Sequence, residues 1–387
     1  MVQDIAINGD NAVALAWRQI DPDVCAAYPI TPQTIIVEKF AEYVANGEVT
    51  TEFVCVESEH SALTLCTASC SAGARTFTAT ASQGLAYMWE MLPITSAMRT
   101  PLIMAVANRA VSGPININND HGDVMSARDC GWIQLFSENV QEAYDNSILA
   151  PRIAEHHEVQ LPAMVNLDGF ILSHAIERVT MVDTDDVKDF VGEYEPLYPL
   201  LDVKHPLSHG NMDGPDFYYP HKYQTVLAMD KALEVAEDVF KDFAKLTGRE
   251  YHLVEEYLCD DADYVAVVLG SSYGTMKAAV DKMRENGLKV GCIMPRVYRP
   301  WPEAAMAKAM AGKKAVVVFD KHLSVGSYGP LFPEVVTAAV DLDSVPKMYN
   351  VIYGLGGADA TVAGFVKIME DVAAEKAKKI TYLGVKA

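Results

Sequence analysis

Residues 24–45, VCAAYPITPQTIIVEKFAEYVA, set a short apolar strand, a proline-stiffened turn and an amphipathic helix in direct succession. Val24–Tyr28 reads as the strand. The helix runs from Pro32 to Ala45 with proline in its first turn, where a missing N–H costs little. The same succession repeats on both sides. Before it, Asn11–Ile20 reads as a helix. After it come strands at Phe53–Val56, Thr76–Ala81, Leu102–Asn108, Trp132–Phe136 and Ala163–Leu167, with helices at Glu59–Ala72, Leu85–Met98 and Asn139–His156. Strands alternating with helices over short connections predict an α/β domain on a mainly parallel sheet wrapped on both faces. That domain spans residues 1–175.

Residues 176–250 have a different texture. Acidic MVDTDDVKDFVGEYEP gives way to a Pro-, Gly-, His- and Tyr-rich stretch ending in DGPDFYYPHKY. This reads as an ordered, irregular connector, too aromatic for a free linker, followed by a helix over Met229–Thr247. Residues 251–387 return to alternation, with strands at 263–270, 290–295, 315–320 and near Tyr349–Tyr353, and helices at Met276–Asn286, from Pro302 and near Val335. They predict a second, smaller α/β domain.

Composition narrows the function. The 387 residues carry 52 Asp+Glu against 31 Lys+Arg, a formal charge of −21 that would repel a phosphate backbone, so nucleic acid is excluded as a partner. Half the residues are hydrophobic, which excludes disorder over most of the length. The start, MVQDIAINGDNAVALAW, has no basic segment leading into an apolar one, and no run approaches the roughly 18 apolar residues of a membrane span. A soluble, cytoplasmic chain is expected. The seven cysteines (25, 55, 66, 70, 130, 259 and 292) include no C-x-x-C pair and read as reduced core thiols.

In open parallel sheets ligands bind beyond the carboxyl ends of the strands, and four polar features fall there. Thr31, between two prolines, is either a helix N-cap or a hydroxyl aimed from a rigid turn. Within Val56-Glu57-Ser58-Glu59-His60, a carboxylate is either a helix-end charge or a buried group that takes or holds a ligand proton. His60 reads as structural or solvent-exposed. Arg109, closing LIMAVANR, binds a substrate carboxylate or pairs with one of the chain's many acids. The loop Asn116–Asp123 lacks the glutamate that a calcium loop needs at its twelfth position. In the second domain, Gly270–Thr275 matches neither common phosphate-binding glycine pattern, and packing of strand on helix accounts for its glycines.

Together AAYPITPQTIIVEKF, FVCVESEHSA, GARTFTATASQGLAYMWEML, IMAVANRAVSGPININNDHGDVMSARDCGWIQLF, MVNLDGFILSH and the later YGLGGADAT resemble, in this order, the alpha subunit of the pyruvate:ferredoxin oxidoreductase (pyruvate synthase) family. The resemblance implies a thiamine-diphosphate-binding fold, with a pyrimidine-binding domain followed by a transketolase C-terminal-like domain. It implies that Glu59 hydrogen-bonds the aminopyrimidine ring and promotes the imino tautomer that deprotonates the thiazolium carbon. It implies that Thr31 and Arg109 hold the 2-oxoacid carboxylate, while Glu57 keeps a helix-end role. No metal ligand is implied in this chain.

The sequence has no G-D-G, the usual mark of the half-site that holds magnesium and the diphosphate, and no cysteine spacing for a cluster. The resemblance therefore places Mg²⁺, diphosphate and [4Fe-4S] clusters on partner chains, the beta, gamma and delta subunits, with CoA as co-substrate and ferredoxin as electron acceptor. Two alternatives accompany this reading: the same chemistry on branched-chain or other 2-oxoacids, and a non-catalytic structural or docking subunit.

Overall fold

A computed structural model describes residues 3–385. Its first sheet has seven strands in the order Val297–Arg299, Ile133–Phe136, Ala163–Asp168, Ile103–Asn108, Thr76–Thr80, Val24–Ala27 and Glu52–Cys55. All pair in parallel except Val297–Arg299, which comes from the second half of the chain and runs antiparallel to Ile133–Phe136. The inner strands Thr76–Thr80, Ile103–Asn108 and Ala163–Asp168 are buried along their whole lengths, as strands covered on both faces must be. Helix Gly9–Ile20 packs against Thr34–Ala45 and Val140–Ala154, and Glu59–Ala72 packs against the Val24–Ala27 and Thr76–Thr80 strands. Trp17, fully buried, meets Phe40 and Phe77 at ring distances of 5.9 and 5.2 Å and anchors one of these layers.

The second sheet has six strands, in the order Ile380–Tyr382, Lys347–Ile352, Ala315–Asp320, Tyr264–Val267, Val290–Pro295 and Val254–Tyr257, with only the last antiparallel. Gln3–Asn8 and Ile176–Met181 form a separate antiparallel pair. Among the described residues, no helix is long and apolar enough to cross a membrane.

The structure departs from the expected elements in several places. The run 85–98 is two helices, Ser82–Tyr87 and Met91–Ala97. Pro93 has no N–H to continue a helix from Trp89, so the chain restarts with Pro93 in a new first turn. Part of the expected irregular connector is regular: Thr184–Val191 is a helix capped by the Asp183 side chain. The last helix of that segment begins at Pro215 rather than Met229. Pro215 suits a first turn, and Pro220 forfeits a single backbone hydrogen bond near the start. The aromatic residues of this extension are exposed in the single chain, Phe217 at 63% and Tyr219 at 77%.

Candidate functional site

Helix Thr34–Ala45 begins two residues after the predicted Pro32 and has Gln33 at its cap, so Thr31 does not cap it. The reason is Gln33. Its buried amide donates to the Tyr28 carbonyl at 2.9 Å and to the Ala79 carbonyl at 3.3 Å, tying the turn down on the neighbouring strand. Thr31 is left exposed at the rim. There it meets Arg109, whose Nη1 donates to the Thr31 carbonyl at 2.9 Å while its Nε donates to the Asn116 carbonyl at 3.2 Å. Arg109 is 6% exposed, and among the described residues it has no ion-pair partner. Burial lowers its pKa from the usual arginine value, opposed by the nearby Asp123. A guanidinium surrounded by carbonyls in this way still seeks an anion.

Glu59 opens helix Glu59–Ala72, and Ser58 is the true N-cap, accepting from the Ser61 N–H at 3.2 Å. Glu59 is 9% exposed, and no group among the described residues hydrogen-bonds its carboxylate. Gly84, in the short helix after Thr76–Thr80, lies directly against it. A Cβ at Gly84 would come within 3.0 Å of Glu59 Oε1 and 2.4 Å of Thr80 Oγ1. The Thr80 hydroxyl is itself buried without a partner among the described residues. A carboxylate and a hydroxyl left unpaired side by side suit a ring that offers both N–H donors and nitrogen acceptors. Glu57 is exposed, accepts from Ser61 Oγ at 2.5 Å, and its pKa is lowered by that bond, which is helix-end behaviour. His60 lies 3.3 Å from Glu90 at the surface, as expected of a structural histidine.

Sequence reasoning missed a buried cluster at the neighbouring strand end. Asp168, 1% exposed, contacts His121 Nε2 at 2.8 Å and accepts from Lys321 Nζ at 3.0 Å and Ser271 Oγ at 2.5 Å. Burial alone would raise its pKa, but Lys321 and His121 hold it well below the usual carboxylate range. The cluster revises the reading of Gly270–Thr275. Gly270 has φ +64°, and a Cβ there would lie 2.8 Å from Asp168 Oδ1, so the glycine is required by a carboxylate arriving from the first domain. The anion at the head of helix Ser272–Glu285 is the chain's own. The loop Asn116–Asp123 also spans the two domains: the Gly357 N–H donates to the Asn119 carbonyl at 2.8 Å and Asn116 Nδ2 to the Gly356 carbonyl at 3.0 Å.

Comparison with known proteins gives this geometry its context. The family described as "Pyruvate flavodoxin/ferredoxin oxidoreductase, thiamine diP-bdg" matches residues 16–241, and "Pyruvate:ferredoxin oxidoreductase core domain II" matches residues 262–365. Pyruvate synthase subunit PorA of Thermotoga maritima is 49% identical over 96% of this chain and 95% of its own length. The chain belongs to the pyruvate:ferredoxin oxidoreductase family. Its relatives include a ketoisovalerate oxidoreductase subunit VorA of Pyrococcus abyssi, 41% identical over 95% of this chain and 92% of that one. The fold is shared with 2-oxoglutarate:ferredoxin oxidoreductase from Magnetococcus marinus, at TM-score 0.75 and 20% identity over 97% of this chain; the chain spans 65% of the length of that protein. A split-gene transketolase shares it more loosely, at TM-score 0.58 and 11% identity over 96% of this chain and all of that one.

For a member of an electron-transferring family, the state of the thiols matters. Six of the seven cysteines are buried and all are free, and burial pushes the Cys66 thiol up to about 12 and Cys130 and Cys259 up to about 11. Cys55 corrects the expectation of seven core thiols: it is exposed, because Glu52–Cys55 is the edge strand of its sheet.

Proposed function

We propose that this chain supplies the aminopyrimidine-facing half of a thiamine diphosphate site in a pyruvate:ferredoxin oxidoreductase. The cofactor, when bound, serves as the electron sink that allows the 2-oxoacid to lose CO₂. Glu59 holds a proton-bearing ring nitrogen of the aminopyrimidine, and Thr80 faces the same space. Arg109 and Thr31 receive the 2-oxoacid carboxylate, the arginine by charge and the threonine by its hydroxyl. Residues 1–175 form the pyrimidine-binding domain, 176–250 the connector and 251–387 the transketolase C-terminal-like domain. Partner chains hold the diphosphate, Mg²⁺ and iron–sulfur clusters, with CoA as acyl acceptor and ferredoxin as electron acceptor.

The observation that carries this reading is the Glu59 carboxylate, buried under Gly84 at a helix start and left without a partner among the described residues. The test is CoA-dependent viologen reduction by the purified complex. Glu59→Gln is expected to remove nearly all turnover while the complex still assembles; turnover at the wild-type rate would overturn the assignment. Pyruvate is the proposed substrate. The ketoisovalerate relative supports a second reading in which the same site takes a branched-chain acid. A panel of 2-oxoacids in the same assay decides between them.

A further inference from the structure

Asp123 is 2% exposed, and among the described residues every hydrogen bond to its carboxylate comes from a donor, with the Asp120 carboxylate nearby. Oδ2 accepts from the Arg109 N–H and the Ser82 N–H, both at 3.0 Å, and Oδ1 accepts from the Val124 N–H at 2.8 Å and from Asn108 Nδ2 at 3.3 Å. The first two amides belong to different strand ends. Arg109 follows Ile103–Asn108, and Ser82 follows Thr76–Thr80 and opens the helix that carries Gly84. Ser82 has φ +47°, a left-handed angle that a non-glycine residue adopts only when held there. Its hydroxyl bonds the Ala110 carbonyl at 2.5 Å, a second stitch between the same two loops.

We infer that Asp123 is a positioning residue of this site, setting the Arg109 guanidinium and the Gly84 wall of the Glu59 pocket in register through two backbone amides. The inference rests on the reading of Arg109 as the carboxylate-binding group. The four-donor environment makes the isosteric amide diagnostic, because an asparagine turned either way must point its NH₂ at an N–H donor.

The experiment compares Asp123→Asn, Arg109→Ala and the double variant in the intact complex, reading kcat and KM for the 2-oxoacid separately. Arg109→Ala raises KM. Asp123→Asn is expected to raise KM about ten-fold or more, yet to change it less than about two-fold once Arg109 is already alanine. An unchanged KM in Asp123→Asn, or an equal factor in both backgrounds, overturns the inference. If Arg109→Ala itself leaves KM unaltered, the carboxylate-binding reading falls, and Asp123's part in substrate binding falls with it. Should Asp123→Asn fail to assemble, Asp123→Asn with Ser82→Gly provides the second test, since glycine holds the left-handed angle unaided. Recovered assembly with a raised KM supports the inference. Failure of both makes Asp123 a folding residue and rejects it.

Discussion

Asn108 and Asp168 are register partners in adjacent parallel strands, and at these strand ends stand two buried charges of opposite sign, treated differently. Asp168 has drawn Lys321 from 153 residues away, together with His121 and Ser271. The Arg109 guanidinium, at the next strand end, hydrogen-bonds only the carbonyls of Thr31 and Asn116 among the described residues. The two are not joined although an ion pair would satisfy both. The main chains themselves cross too closely there for anything but glycine, since a Cβ at Gly169 would lie 2.4 Å from the Asn108 carbonyl. One strand end is closed by an ion-paired cluster, while the guanidinium at its neighbour hydrogen-bonds only carbonyls among the described residues, the feature on which its proposed role rests.

This contrast can be broken at several points. The largest effect is expected at Glu59 on the open side, where Glu59→Gln lowers kcat by at least about 100-fold without loss of assembly, measured as viologen reduction. On the closed side, Asp168→Ala leaves Lys321 and His121 facing each other in the interior. It should cost about 3–5 kcal/mol of stability, read from denaturant unfolding. Arg109→Ala should do the reverse, leaving stability nearly unchanged while raising KM for the 2-oxoacid by roughly 10- to 100-fold. Gly84→Ala drives a methyl into Thr80 and Glu59, with an expected loss of about 1–3 kcal/mol and a matching fall in activity.

A further effect concerns pH. Asp320, which ends a strand of the second sheet, is pushed up to about 7 by burial, opposed by the Leu331 N–H and Asn350. It therefore holds its proton in the folded chain at pH values where the unfolded chain has released it. Its contribution to stability falls as pH rises from about 4 to about 7 and then levels off. Asp320→Asn should flatten that slope in a Tm-against-pH series. Asp168 works in the opposite sense, its contribution persisting above about pH 4 and lost as pH falls further.

The parallel strands were legible because their apolar runs are bounded by turn residues, and Thr31 and Arg109 stood out as candidates because rigid or charged residues close such runs, although by pattern alone Thr31 read also as the helix cap that Gln33 in fact provides. Glu57 and Glu59 were harder to separate by pattern. Two residues apart, both sit near one helix start, and only the packing of Gly84 buries one and leaves the other in water. Asp168 was not legible as a charge centre, since its partners Lys321 and Ser271 lie 153 and 103 residues away and no local spacing encodes them. The antiparallel strands Val254–Tyr257 and Gln3–Asn8 escaped for a related reason. They are short or largely exposed, and distant partners define them.

The strand Val297–Arg299 has a consequence for the chain as it is made. Until it emerges, Ile133–Phe136 stands as an unprotected border of the first sheet, with backbone groups ready to recruit a strand from a neighbouring nascent chain. Synthesis at roughly 5–20 residues per second leaves that border bare for several seconds at the least. A chain truncated before residue 297 would keep it bare permanently, so the first domain cut out alone is expected to aggregate rather than to behave as a minimal folding unit.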